Sequence, residues 1–405
     1  MSRLPLHLAL LLLFVPAAAL ATNVGPGDVS GTWTAANSPY VVQGQITVPA
    51  GQTLTIDPGV DVLFAGGFAL RVEGVIQAVG TAVDSIRFLP ETAGNTWAHI
   101  ELPSGAGDGS AFGHCVFRNG DASANTDPLS PNGGALCIAQ GVSATVSQCT
   151  VEWCEGDNGG GIWASDQVAI ADCVIRHCQC NGTNAKGGGV CFYYGGDLSG
   201  CTVSDNYSNF SGGGVSCEYC QGELVDSEVT NNVARVHGGG FDIQYANGSS
   251  AVRNCLIAGN TSVIDGGDGG GIFYWYGAGD EITGNTIVDN TATSGAGITY
   301  GYATLTIEQN IIAANNGPAS WRVYGTETVS YTRNCVWANE VDTLDGDLSE
   351  TLYVDPLFCD AGAGDYTLCA DSACLPLIIG ALGQGCDACL TATEDASWGR
   401  VKALY

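Results

Sequence analysis

Gly212-Gly213-Gly214-Val215-Ser216-Cys217-Glu218-Tyr219 is followed by Glu223-Leu224-Val225-Asp226, by Glu228-Val229-Thr230-Asn231-Asn232, and by a new Gly238-Gly239-Gly240-Phe241. A glycine triplet opens an alternating apolar strand, a second apolar piece follows, a third ends in asparagine, and the triplet returns. It stands again at Gly159-Gly160-Gly161-Ile162, Gly187-Gly188-Gly189-Val190 and Gly269-Gly270-Gly271-Ile272, with degenerate copies at Gly133-Gly134-Ala135-Leu136 and Gly295-Ala296-Gly297-Ile298. The third positions step by 26, 28, 25, 26, 31 and 26 residues. A second motif, (Cys/Asn)-x-(Val/Ile)-x-x-(Asn/Cys), interleaves with the first. It ends at Asn119, Cys154, Cys178, Asn206, Asn232, Asn260, Asn290, Asn315 and Asn339. Three short strands per period, with glycine and asparagine at the bends, make one coil of a parallel β-solenoid. Glycine supplies φ > 0 or close approach at the corners. Asparagine tolerates the left-handed conformation and can bond to its copy one rung on, about 4.8 Å away.

Working outward, residues 24–112 carry looser coils of the same kind, such as Gln45-Ile46-Thr47-Val48 and Thr53-Leu54-Thr55-Ile56, with Pro58-Gly59 as a turn. After Asn339 the period stops. Val354-Asp355-Pro356-Leu357-Phe358 and Gly364-Asp365-Tyr366-Thr367-Leu368 open a cysteine-rich stretch that ends at Cys389, read as the cap that covers the open end of a solenoid. The N-terminus has the form of a secretory signal: Arg3, an apolar run Leu8 to Val15, and Ala19-Leu20-Ala21 as cleavage site. The expected organisation is therefore a signal peptide at 1–21, a parallel β-helix at 22–340, a closing coil and Cys-rich cap at 341–389, and a flexible or sorting tail at 390–405.

Composition limits the partners. The chain has 405 residues, of which 59 are glycine, and only 13% are charged, with 41 acids against 12 bases for a net charge of −29. Glycine at this density disfavours helix bundles, at ~1 kcal/mol for each interior position. An acidic surface repels nucleic acid and anionic lipid. No stretch after the signal is long and apolar enough to span a bilayer, so a secreted, extracellular or cell-surface protein is expected.

Eighteen cysteines in an exported chain point to disulfides. Cys217-x-x-Cys220 and Cys386-x-x-Cys389 lie too far apart to read as one zinc site. Cys154 and Cys178 occupy one ladder position in consecutive coils, within the reach of a disulfide. Cys149, Cys173 and Cys201 form a second column, for which a bridge between one neighbouring pair or free thiols filling the ladder fit equally.

Several of these pieces are familiar together. Val48 to Val60 resembles the first coils of secreted bacterial right-handed parallel β-helix proteins of the pectin-lyase-like superfamily. The glycine and x-x-Asn repeats resemble those of chlamydial polymorphic outer-membrane proteins, and Asp355-Pro356-Leu357-Phe358 with Gly364-Asp365-Tyr366 is similar to the closing coil of many such helices. The resemblance implies an all-β, right-handed parallel β-helix (solenoid) of about twelve coils, with a disulfide-rich C-terminal cap. It does not imply one activity, because the fold hosts many. The Trp-Ile-Asp-His and Arg-x-Pro-x-x-Arg segments of pectate lyases are missing, as is the Asp-Pro-His-Asp of alginate epimerases. Of the polygalacturonase segments, Asn125-Thr126-Asp127 stands alone, and Gly113-His114-Cys115 is not Gly-His-Gly.

Counting from the last glycine of each triplet, strand parity points +1 and +3 inward and +2 and +4 outward. The outward set includes Trp163, Tyr193, Phe273 and Trp275 beside Glu218, Asp242 and Gln244. Exposed aromatics near carboxylates suit stacking on sugar rings, so these four aromatics are the candidate carbohydrate-binding residues. Tyr194, Tyr219, Tyr245, Tyr276 and Tyr302, at +5, read as a structural stack. Lys186, Ser211, His237 and Asp268 each precede a triplet and should form one column. His237, Arg235, Lys186 and Asp242 are the candidates for acid–base chemistry beside a uronic carboxylate, against a solvated face of scattered charges. Glu152 and Arg176 read as an exposed ion pair worth little. Asp265 and Asp268 are the candidate Ca²⁺ ligands, without the regular nonapeptide of calcium-binding solenoids; no cofactor is otherwise expected. The favoured reading is a non-catalytic adhesive or carbohydrate-binding protein whose partner is a polysaccharide or cell-surface glycan. The alternative is a polysaccharide lyase or glycoside hydrolase working in a groove on the same face.

Overall fold

The computed structural model describes residues 21–387 and Cys389, apart from 125–129, 166, 167, 247, 249, 265 and 345. The signal segment up to residue 20, the 390–405 tail, Asn125-Thr126-Asp127 and the Ca²⁺ candidate Asp265 lie outside the described residues.

One coil shows how the sequence builds the rest. Val190–Tyr193 turns at Tyr194 into Asp197–Ser199, Gly200 turns that into Thr202–Ser204, and Asp205 leads into Tyr207–Ser208. Ser211 and the glycine triplet then return the chain to Val215–Glu218. Each strand pairs in parallel with its successor one coil on: Val190 with Val215, Leu198 with Leu224, Val203 with Val229, Ser208 with Ala234. The third pieces of the coils form a 13-stranded sheet from Thr22–Val24 to Cys335–Trp337, which amounts to about a dozen coils. The first and second pieces share a larger sheet that bends at the tyrosine corner; Ile272–Thr283 runs through that corner as one strand. A fourth piece of only two residues, which the sequence pattern did not reveal, pairs through five coils from Glu155–Gly156 to Thr261–Ser262.

The triplet has a separate reason for each glycine. The first is left-handed, with φ of 59°, 71°, 62°, 62° and 65° at Gly159, Gly187, Gly212, Gly238 and Gly269. The second lies against the backbone of the next coil; the third packs beside the asparagine ladder. From Asn206 on, the ladder asparagines themselves are not the left-handed residues expected; Asn119 is left-handed (φ 58°), but the register sets it opposite Trp153, one position before the ladder. That role falls one position earlier, to Asp205 (φ 56°), Asn231 (φ 55°) and Asp289 (φ 54°). The ladder side chains instead point inward and bond along the axis: Asn206 to Asn232, Asn232 to Asn260, Asn260 to Asn290, and Asn290 to Asn315, each at 3.0–3.1 Å.

The same ladders account for the cysteines, and they correct the expectation of general disulfide bonding. Cys154 and Cys178 stand where later coils have asparagine, and Cys178 N–H donates to Asn206. The Cys115, Cys149, Cys173 and Cys201 sulfurs each lie inside the coil, those of Cys149, Cys173 and Cys201 accepting the backbone N–H of the coil before. All are free and buried, among twelve free thiols. Burial pushes the thiols of Cys137, Cys180 and Cys255 up to about 12, far from the reactive thiolate. Disulfides join Cys217 to Cys220, Cys359 to Cys386, and Cys369 to Cys389.

Glu152 also departs from expectation. It is 3% exposed and lies between the guanidinium groups of Arg118 and Arg176. Burial opposes its charge, but the two arginines outweigh that and hold its carboxyl below the usual range.

His99 occupies the third-glycine position of an early coil, opposite Ala135, and is fully buried. Its Nδ1 lies 3.2 Å from the Gly133 carbonyl, which can only accept, so Nδ1 carries the proton. Burial lowers its pKa to about 4. The unfolded chain takes up this proton near pH 6.5 while the fold refuses it until about pH 4, so stability is complete above 6.5 and falls as the pH drops through that window. Urea titrations from pH 7 to 4 are expected to show a loss of about 3 kcal/mol that His99→Gln removes. An unchanged profile in the variant would assign the loss to other groups.

Strand pairing continues past residue 340, to Asp347–Ser349 and a bridge from Cys335 to Leu352. The closing segment then does not cover the open end as expected. Phe358–Asp360, Asp365–Cys369 and Gln384–Cys386 form a small sheet that packs on the flank of the 13-stranded one. Leu368, Cys374 and Ile379 meet Ala258, Val288, Ile311, Ala313 and Cys335. Tyr366 donates to Asp289 at 2.7 Å and Gly380 N–H to Gln309 at 2.8 Å. The end strand Asp347–Ser349 stays exposed. Among the described residues, no helix is long and apolar enough to cross a membrane.

Candidate functional site

The outward face of the strands that follow the triplets brings most of the candidate residues together. Register places the +2 residues in one column, Trp163, Cys191, Ser216, Asp242, Phe273, Thr299 and Trp321. The +4 column beside it runs Ser165, Tyr193, Glu218, Gln244, Trp275 and Gly301. Parallel bridges join Lys186, Ser211, His237, Asp268 and Ser294, so the residues before the triplets do form one column.

That column covers the +2 positions from Cys191 to Thr299, which parity alone left open to solvent, while Trp163 and Trp321 beyond its ends stay half-buried and exposed, respectively. Phe273 is only 4% exposed, because the His237 ring stacks on it at 4.4 Å and 15°. It is therefore a support for His237 and not an open platform. Asp242 is fully buried and accepts from Ser211 at 2.6 Å, Ser216 at 3.0 Å and Gln244 at 2.9 Å. Lys186 reaches Glu218 at 3.0 Å. Burial works against its ammonium, yet the carboxylates of Asp242 and Glu218 outweigh burial and hold its pKa above the ordinary value. His237 Nδ1 stands 3.5 Å from Asp268, whose own pKa is raised by burial and only partly restored by His237. Arg235 is exposed, two residues along the chain from His237. Trp163 is half-buried on the coil before, across from Cys191.

Tyr193 and Trp275 remain as half-buried aromatics at the two ends of one polar run, three rungs or about 14 Å apart. Trp275 lies across Gly301, where any side chain would strike the indole.

Beside this column stands the tyrosine row, and its geometry is the feature that sequence reading undervalued. Rings of Tyr194, Tyr219, Tyr245, Tyr276 and Tyr302 stack at 5.1, 5.3, 5.5 and 4.8 Å, and Tyr324 continues the row at 6.0 Å. Tyr194, Tyr219, Tyr245, Tyr276 and Tyr324 are 36–59% exposed. The five corner tyrosines all have positive φ, between 50° and 71°. These coils have other left-handed corners, filled mostly by glycine, aspartate or asparagine, such as Gly200, Asp226, Asn231 and Asn254. Only the fourth uses tyrosine, in every one of five coils. A left-handed bulky residue costs roughly 1–2 kcal/mol, and a ring pair returns about 0.5–1.5 kcal/mol. The pairing is of the same size as the strain, and the burial of more than half of each corner ring adds to it, so the row holds its own left-handed corners. Tyr193 meets Tyr194 and Tyr219 edge-on at 73° and 87°, and Trp275 meets Tyr276, Tyr302 and Tyr324 at 89°, 88° and 82°.

A shallow cavity of about 280 Å³ lies elsewhere, at the corner where Trp153 stacks on His177. Three cysteine sulfurs, of Cys359, Cys369 and Cys386, lie close enough to suggest a metal, but disulfides already engage all three.

Residues 208–347 match a family described as the right handed beta helix region. A stretch of 67 residues is 42% identical to the protein bark beetle of Drosophila melanogaster, spanning 16% of this chain and 2% of that protein. Among solved structures, the periplasmic alginate epimerase AlgG is 11% identical with a TM-score of 0.44, covering 78% of this chain and 77% of that one. A mannuronan C-5 epimerase A-module of Azotobacter vinelandii is 13% identical with a TM-score of 0.29, covering 83% and 91%. The chain is a parallel β-helix, and the match over residues 208–347 is to the right-handed form of that fold.

Proposed function

We propose that this is an exported, non-catalytic glycan-binding protein that holds polysaccharide on the face between Tyr193 and Trp275. The carrying observation is the +4 column, with an aromatic ring at each end and a fixed carboxylate and amide, Glu218 and Gln244, between them. Sugar rings offer apolar C–H faces to the aromatics and hydroxyls to the polar pair. The acid–base candidates favour binding over catalysis: Asp242 is buried with three donors on it, and Lys186 is committed to Glu218. Trp275→Ala is expected to weaken retention on polysaccharide about tenfold, a loss of about 1.4 kcal/mol. Retention at the wild-type level would count against the reading.

A polysaccharide lyase or hydrolase is the second reading, and the His237–Asp268 pair is what favours it. Incubation with acidic and neutral polysaccharides separates the two. Unsaturated or reducing ends that vanish in His237→Ala establish the enzyme, and binding without product establishes the lectin-like protein. The candidate Ca²⁺ role of Asp268 is weighed by the same assay with and without chelator; its carboxylate already faces His237.

A further inference from the structure

We infer that the tyrosine row selects the class of glycan, an uncharged, extended polysaccharide lying parallel to the solenoid axis; this rests on the glycan-binding reading above. Three observations lead there. The ring centroids advance by 4.8–5.5 Å per coil over five corners, a step close to that of one pyranose ring in an extended β-linked chain. Because the tyrosines stack face to face, what they expose is ring edges, with one phenol hydroxyl per rung, that of Tyr194 shared with Tyr193. Tyr193 and Trp275, both half-buried, stand nearly perpendicular to the row, with Phe273 parallel to the Trp275 indole at 5.8 Å. A chain laid along the row therefore meets hydroxyls on one side and aromatic rings at both ends of the polar run.

Charge excludes the acidic alternatives. The residues just past the corners, Gly195, Cys220, Ala246, Gly277 and Ala303, are small and uncharged. The basic groups nearest the row face carboxylates already, Lys186 toward Glu218 and His237 toward Asp268. Arg322, at the far end of the face, lies over the ring of Tyr300. With a net charge of −29 behind this face, a polyuronate meets repulsion with little to offset it.

The test uses the mature chain with cello-oligosaccharides of two to eight rings and matched oligomannuronates, measured by calorimetry. Affinity for the neutral series is expected to rise with length and level off near six rings, with oligomannuronates bound at least about tenfold more weakly. Tyr245→Phe and Tyr276→Phe keep the stack and the melting temperature but remove a hydroxyl; each is expected to lower affinity about threefold, and Tyr245→Ala about tenfold. If Trp275→Ala abolishes binding while both phenylalanine variants bind as the wild type, the row has no such role and the glycan-binding reading stands. Equal or tighter binding of the uronates likewise overturns the inference alone. If the wild type retains no polysaccharide of either class, the glycan-binding reading falls, and the inference with it.

Discussion

Asn260→Ala is expected to remove about 3–5 kcal/mol of stability, seen as an earlier midpoint in urea, although the side chain is only amide-sized. Its amide nitrogen donates to the Val229 carbonyl at 2.8 Å and to Asn290 at 3.0 Å, and its oxygen accepts from the Asn232 backbone at 2.9 Å and the Asn232 amide at 3.0 Å. All of these groups are out of reach of water. Truncation leaves at least two of them unpaired, each costing about 1–3 kcal/mol, and alanine offers no replacement. The loss falls at the first of the four rungs that the closing segment ties together, so the coils before it are expected to unfold in a step separate from those beneath that segment. A single transition at the wild-type midpoint would show that water replaces the amide.

Gly213→Ala is expected to cost at least about 3 kcal/mol, more than the usual overpacking of a core. Gly213 has no special φ; its need is space. A methyl group there would fall on the Gly239 carbonyl and the Val233 backbone, neither of which can move without parting two coils. The neighbouring Gly212 fails for the other reason, its φ of 62°. Alanine does occur at this second position in Ala98 and Ala296, before the two-residue sheet begins at Glu155–Gly156 and after it has ended at Thr261–Ser262. Thermal melts of Gly213→Ala beside Gly212→Ala measure both effects, and a wild-type midpoint for the first would mean that the corner relaxes.

These two residues also show what the sequence makes legible. Periodicity fixes which residues share a column, so the triplets, the asparagine ladder and the Lys186, Ser211, His237, Asp268 column follow from spacing alone. Burial of an outward position does not, because it depends on a loop folding back over it. Phe273 looked open by parity and lies under His237. Cysteine was misread because its pairing chemistry suggested bridges, whereas Cys154 and Cys178 fill the ladder place of asparagine. The tyrosine row was visible as a column, but its left-handed backbone was not, since bulky residues seldom occupy that region. The flank position of the closing segment did leave a trace. Outward residues of the 13-stranded sheet change from Thr202, Ser204, Glu228 and Thr230 to Leu256, Ala258, Val288, Ile311 and Ala313 where it settles.

That closing segment has a mechanical meaning as well. It lies across four successive rungs, from Leu256–Ala258 to Cys335–Trp337, with Tyr366, Leu377 and Gly380 each tied to a coil. Under tension from the C-terminus, coils cannot peel away one at a time beneath it. The clasp must release first, and the four rungs then bear load together, as pages held by a clip across their edges resist tearing that a cover on the last page would not.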